Sequence, residues 1–224
     1  MSFFVTKVVN EWDEVTYQPT VAGFTALVII MIAVLLAGIA FFGKNRKFSA
    51  KQLAFSAMAI ALATVTSFIK LFHMPMGGSV TLLSMLFISL IGYWYGLGAG
   101  LTAGFAYGIL QMVLDPYILS VPQMLVDYIF AFGALGLSGL FSNSKHGLIK
   151  GYVASVLGRY FFAFLSGWIF FGTYASYYGF NSGVIYSLAY NGAYLAAEAA
   201  ITIVVLLIPP VASAMKRIKE LALS

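Results

Sequence analysis

The 224-residue chain contains no cysteine, which excludes disulfide frameworks, thiol catalysis and thiolate metal sites. Charge is nearly as scarce. Only 8% of residues are Asp, Glu, Lys or Arg, where soluble domains carry about 25%. A water-exposed surface cannot be built from so few. The two histidines, His73 and His146, lie far apart in sequence and show no metal-ligand spacing. No nucleophile–base pair and no paired catalytic carboxylates stand out, which argues against an enzyme. Gly38-x4-Gly43-Lys44-Asn45 approaches a phosphate-binding loop, but the Ser or Thr after the lysine is missing and the glycines lie in an apolar run rather than after a strand. The chain does not hydrolyse ATP by that route.

What the chain does have is apolar: 62% of residues are hydrophobic and the mean hydropathy is +0.96. Its solvent is lipid, and it reads as an integral membrane protein. A bilayer core takes about 20 apolar residues per helix, and seven stretches qualify, at residues 20–43, 52–72, 79–97, 98–114, 121–141, 148–171 and 184–215. The net charge of +5 does not point to nucleic acid, because the cations bunch beside these spans. Lys44, Arg46, Lys47 and Lys51 form one cluster, Lys145 and Lys150 a second, and Lys216, Arg217 and Lys219 a third. Such bunching marks cytoplasmic loops, and placing all three clusters inside leaves the N-terminus outside and the C-terminus in the cytoplasm.

The expected fold class is all-α integral membrane, with a six-helix core and one added N-terminal transmembrane helix. The expected layout is an extracellular leader at 1–19, the extra helix at 20–43 and a basic cytoplasmic linker at 44–51. A six-helix substrate-binding membrane domain follows at 52–215, with a cytoplasmic tail at 216–224. The 20–43 run is too long, and its acidic leader (Glu11, Asp13, Glu14) of the wrong sign, for a signal peptide.

Four polar residues stand out within these spans: Asp127, Arg159, Asn191 and Glu198. An ionisable group in hydrocarbon costs at least a few kcal/mol, so such groups usually face a bundle interior or a water-filled cavity. Asp127 reads either as a carboxylate lining an outward-facing pocket, for a cation or an amine, or as the partner of a neighbouring helix. Arg159 and Glu198 fall at similar depth, about 12 and 14 residues below their outer helix ends at 1.5 Å per residue, which allows a mutual ion pair. Asn191 and Glu198 are seven residues apart and share a helix face. The Asn191 amide, with donors and an acceptor, suits the edge of an aminopyrimidine, or else bridges helices. Aromatic residues crowd the region 160–180. Most suit a membrane-surface belt, and a few suit stacking on a flat cationic ring, worth roughly 0.5–2 kcal/mol. Ala57/Ala61 and Ala59/Ala63 form small-xxx-small pairs that permit close helix packing, within the chain or with another membrane subunit.

Several motifs then follow in order: Gly77-Gly78-Ser79-Val80, Leu125-Val126-Asp127-Tyr128-Ile129-Phe130-Ala131-Phe132, Arg159-Tyr160, Ser166-Gly167-x-x-Phe170-Phe171-Gly172 and Ile185-Tyr186-Ser187-Leu188-x-Tyr190-Asn191. Over about residues 52–215 the chain resembles the thiamine-binding substrate component of bacterial energy-coupling factor (ECF) transporters. The resemblance implies a six-helix subunit of the bacterial cytoplasmic membrane with thiamine as its bound ligand and no cofactor. The implied partners are a transmembrane coupling subunit and two cytoplasmic ATPases. It assigns ligand contact to Tyr117, Asp127, Tyr128, Arg159, Gly167, Phe171, Tyr186 and Asn191, and docking on the coupling subunit to Ala57 and Ala61. One departure stands out. Four residues after the basic position the family carries a histidine, and here that residue is Ala163. The alternatives are the same scaffold binding pyridoxine or the hydroxymethylpyrimidine of thiamine, and a stand-alone proton-coupled carrier.

Overall fold

The computed structural model describes residues 3–9, 15–23, 25–26, 29 and 49–224. Most of the expected helix at 20–43 lies outside the described residues, as do Lys44, Arg46, Lys47 and the loop-like Gly38–Asn45 run. Within the expected leader, β1 (Val5–Val9) and β2 (Val15–Pro19) pair antiparallel.

The first fully described helix, α1 (Ala50–Ser67), opens on a capping box. Ser49 Oγ accepts from the Gln52 N–H and Gln52 Oε1 accepts from the Ser49 N–H, both at 3.1 Å, so two otherwise orphaned donors are satisfied. Its two alanine pairs face different ways. Ala59 and Ala63 are buried, with Tyr107 Oη donating to the Ala63 carbonyl at 3.1 Å, whereas Ala57 and Ala61 are exposed.

Beyond α1 the expected spans 52–72 and 79–97 give way to a hairpin. Strand β3 (Lys70–His73) pairs antiparallel with β4 (Ser79–Thr81), around a turn containing Pro75 and Gly77 at φ +87°. Pro75 and the left-handed Gly77 are compatible with a turn and not with a continuing helix. The next helix, α2 (Ser84–Tyr95), is therefore only 12 residues long and almost wholly buried.

Four apolar helical segments among the described residues have the length and composition to cross a membrane. The first is α3 (Leu97–Leu114), separated from α2 by Gly96 at φ +88°. Next comes α4 (Val121–Phe141), which changes pitch along its length: an α turn at Val121–Met124, a π turn at Leu125–Phe130 and a 3-10 stretch at Ala134–Phe141. The others contain α5 (Gly147–Phe171) and α6 (Gly183–Leu207). Helices α2, α3 and α4 meet through glycines: a Cβ on Gly100 would stand 2.7 Å from Gly92 Cα and 2.8 Å from the Gly136 carbonyl. Without a hydrophobic drive between helices in lipid, such backbone contact is a main source of association.

The expected last span, 184–215, is two helices. Ile208 adopts an extended conformation (φ −65°, ψ 120°) and α7 (Pro209–Leu223) starts anew, because a proline disfavours helix at the residue before it. Val211, Met215 and Ile218 pack on the body. Lys219 Nζ donates to the Ser142 carbonyl and lies 3.8 Å from the Tyr93 ring centroid. Residues 216–223 are thus part of a docked helix rather than a separate tail.

Candidate functional site

One cavity of about 160 Å³ opens among α3, α4, α5, α6 and the β3–β4 hairpin. That is an order of magnitude more than the about 10–15 Å³ one water needs. All eight residues to which ligand contact was assigned, Tyr117, Asp127, Tyr128, Arg159, Gly167, Phe171, Tyr186 and Asn191, line it, although they come from three helices and a loop.

Asp127 and Tyr128 sit on the π turn of α4, a local widening that often occurs at functional sites. Gly108 of α3 makes room for it, since a Cβ there would collide with the Tyr128 carbonyl. Asp127 is half-buried and accepts from Gln123 Nε2 through Oδ2 at 2.6 Å. The Ser166 hydroxyl lies beside this carboxylate, buried and without a completed hydrogen bond among the described residues. The Tyr128 hydroxyl is committed to the loop above: it donates to the Asp115 carbonyl at 2.9 Å and accepts from the Tyr117 N–H at 2.8 Å. Tyr128 therefore builds the wall and holds the loop, leaving its ring rather than its hydroxyl to face the cavity.

Aromatic rings form much of the remaining lining. Tyr117 stacks on Phe171 with centroids 5.9 Å apart and planes 28° from parallel. Tyr186 stacks on Tyr178 at 5.6 Å and 11°. The Tyr186 hydroxyl is buried with no hydrogen-bond partner among the described residues. Tyr186 and Ser166 both line the cavity, where their hydroxyls can meet a ligand. Arg159 places its guanidinium carbon 4.1 Å from the Phe132 centroid, a cation–π contact.

Asn191 directs Nδ2 to the Ser187 carbonyl at 3.0 Å and Ser187 Oγ at 3.2 Å, and its Oδ1 accepts from Tyr194 Oη at 3.1 Å. After these contacts both Nδ2 hydrogens are engaged, and one acceptor site on Oδ1 remains for a ligand donor. A Cβ on Gly167 would stand 2.7 Å from Asn191 Nδ2 and collide with Ser187 Oγ. The glycine thus lets α5 approach the face of α6 that carries Asn191.

The Arg159–Glu198 ion pair that their similar depth allows is not formed among the described residues. Glu198 Oε2 accepts from the Thr81 N–H (3.0 Å) and Thr81 Oγ1 (2.7 Å), and Oε1 from the Met85 N–H (3.1 Å) and Ser84 Oγ (3.3 Å). These donors cluster at the N-terminus of α2, where orphaned N–H groups and the helix dipole favour an anion. The ion pair within 4.0 Å among the described residues is instead Lys70–Asp115, at 2.7 Å, joining the hairpin to the loop before α4.

Gln123, Ser166, Tyr190, Tyr194 and the Glu198 donors Thr81 and Ser84 also line the cavity and were not among the residues to which ligand contact was assigned. Tyr190 bridges the hairpin turn, accepting from the Gly78 N–H at 3.0 Å and donating to the Pro75 carbonyl. For Gln123 a signal existed: Ser120-x-x-Gln123 reads as a helix start, four residues before Asp127.

Fold and cavity define a multi-pass membrane protein with a partly enclosed small-molecule pocket. Residues 53–218 match the model of the family described as thiamine transporter protein (Thia_YuaJ). The chain is 38% identical over 150 residues to the thiamine transporter ThiT of Bacillus subtilis, covering 59% of this chain and 75% of that protein. It is 32% identical over 135 residues to ThiT of Lacticaseibacillus paracasei, covering 53% and 66%. A solved structure of ThiT from Listeria monocytogenes matches with a TM-score of 0.58 at 28% identity, over 71% of this chain and 96% of that one. The chain belongs to the thiamine transporter family, a family of transport proteins rather than enzymes.

Proposed function

We propose that this chain is the thiamine-binding membrane subunit of an ATP-driven, ECF-type vitamin uptake transporter. The observation that carries the reading is a half-buried carboxylate, Asp127, facing an aromatic-walled cavity that the Asn191 amide also lines. Thiamine has matching features: a cationic thiazolium ring, a planar aminopyrimidine and a small polar tail. Asp127 would neutralise charge or accept from the amine, Asn191 and Tyr186 would read a polar edge, and Phe171 with Tyr117 would supply flat apolar surface. Arg159 would border the ligand from its place over Phe132.

No covalent chemistry is asked of these residues, and the energy for uptake would come from partners. Ala57 and Ala61, exposed on α1, would form the small-residue face that docks on a transmembrane coupling subunit carrying two cytoplasmic ATPases. The protein would lie in the bacterial cytoplasmic membrane with its C-terminus inside, consistent with the Lys216, Arg217 and Lys219 cluster. Isothermal titration of the purified protein with thiamine tests ligand identity: saturable binding is expected, and none at micromolar thiamine would sink the reading. Co-purification with a membrane subunit and ATPases tests the coupling; thiamine uptake that needs no ATPase would overturn it in favour of a stand-alone carrier.

A further inference from the structure

Gln123 sits at the start of α4, 1% exposed, four residues before Asp127. Its amide orientation follows from its neighbours. Oε1 accepts from the Leu119 N–H at 2.9 Å, so Nε2 is the end that donates to the Tyr117 carbonyl at 3.1 Å and to Asp127 Oδ2 at 2.6 Å. A backbone donor on one side and two acceptors on the other leave no other assignment.

We propose that Gln123 is a positioning residue that presets the Asp127 carboxylate for the ligand and ties it to the Tyr117 loop. The inference rests on the thiamine-binding reading of this cavity. A hydrogen bond to an ionised carboxylate is shorter and stronger than a neutral one, and the contact to Asp127 is the shortest of the three. It holds one rotamer of Asp127 before ligand arrives, so less side-chain freedom is lost on binding. Because the amide is neutral, it orients the carboxylate without cancelling its charge, as a lysine or arginine at this place would. The same amide fixes the carbonyl of Tyr117, whose ring stacks on Phe171. One side chain thus joins the charge-reading and ring-stacking parts of the cavity.

The test is equilibrium dialysis of the purified full chain with radiolabelled thiamine. Wild type, Gln123→Leu, Asp127→Asn and the double variant are compared, with ligand-free melting temperatures alongside. Gln123→Leu is expected to weaken binding by about tenfold or more, the scale of one charge-assisted hydrogen bond. In the Asp127→Asn background the same change is expected to cost about threefold or less, because the charge it positions is gone. An equal factor in both backgrounds would mean that Gln123 only holds the loop, and overturns the proposal, as does unchanged affinity of Gln123→Leu. Should Gln123→Leu fail to fold, or Asp127→Asn bind too weakly to compare, Gln123→Glu decides. It keeps the side chain's size but puts a carboxylate where the donor stood, so affinity still falls at least about tenfold, and wild-type affinity overturns the idea. Absence of binding by the wild type itself would instead remove the thiamine reading.

Discussion

Two carboxylates lie within the membrane helices and line the same cavity, but their hydrogen-bond partners differ. Glu198 is 3% exposed and has donors of Thr81, Ser84 and Met85 against both its oxygens, the Thr81 and Ser84 hydroxyls also bonding each other at 2.6 Å. Asp127 is half-buried, has an amide on one oxygen, and faces a cavity. A buried charge held by protein donors on both oxygens is part of the scaffold. One left partly open can do something for a ligand that it cannot do for the fold. Polarity inside a span marks both, but only the inventory of partners separates them.

The largest effect that would break this contrast is on Glu198. Replacing it with alanine strands several buried donors, each worth about 1–3 kcal/mol, so Glu198→Ala is expected to lower the ligand-free melting temperature sharply or prevent purification. Wild-type stability in a thermal melt would show that the cap is dispensable. Asp127→Asn should do the opposite: little change in the ligand-free melt, and thiamine affinity weakened by roughly 2–5 kcal/mol, the cost of truncating one buried charge at an interface. Calorimetric affinity equal to wild type would reduce Asp127 to scaffold.

Smaller effects sharpen the picture. Ala163 is buried and lines the cavity, so Ala163→His should add one polar contact within it. Thiamine affinity is expected to rise by about 1 kcal/mol, with weaker competition from pyridoxine and from hydroxymethylpyrimidine. Preferred binding of either competitor to the unsubstituted protein would reassign the ligand. The smallest effect is expected from Ala57→Leu with Ala61→Leu, on an exposed face remote from both carboxylates. Stability should stay within about 0.5 kcal/mol and thiamine affinity should not move, while co-purification with a coupling subunit is lost. Retained co-purification would remove α1 as the docking face.

Polar residues against an apolar background are easy to see, and Asp127, Arg159, Asn191 and Glu198 were legible for that reason alone. Their pairing was not. Depth along a helix placed Arg159 and Glu198 at one level, but nothing in either span shows that the N-terminus of α2 arrives there instead. Gln123 escaped notice because a glutamine near a helix start is ordinary; its importance depends on the turn that brings Tyr117 and Leu119 back over it. The hydropathy run from 184 to 215 hid the break at Pro209, although the proline pair was visible. Apolar length cannot distinguish one long span from a span followed by a docked helix. The same blindness merged Ser79–Thr81, an extended strand, with the helix that follows.

The shortness of α2 carries a consequence for where binding can occur at all. Twelve residues at 1.5 Å each reach about 18 Å, against a hydrocarbon core of about 30 Å. A helix of that length falls about 12 Å short of the core. Where a longer helix would continue stands the β3–β4 hairpin, whose Ser79 and Thr81 join Ser84, the first residue of α2, among the cavity's walls. The pocket is, in this sense, the part of a helix that was never made: shortening one central strut by about two turns gives the bundle room for a passenger without spreading the others apart.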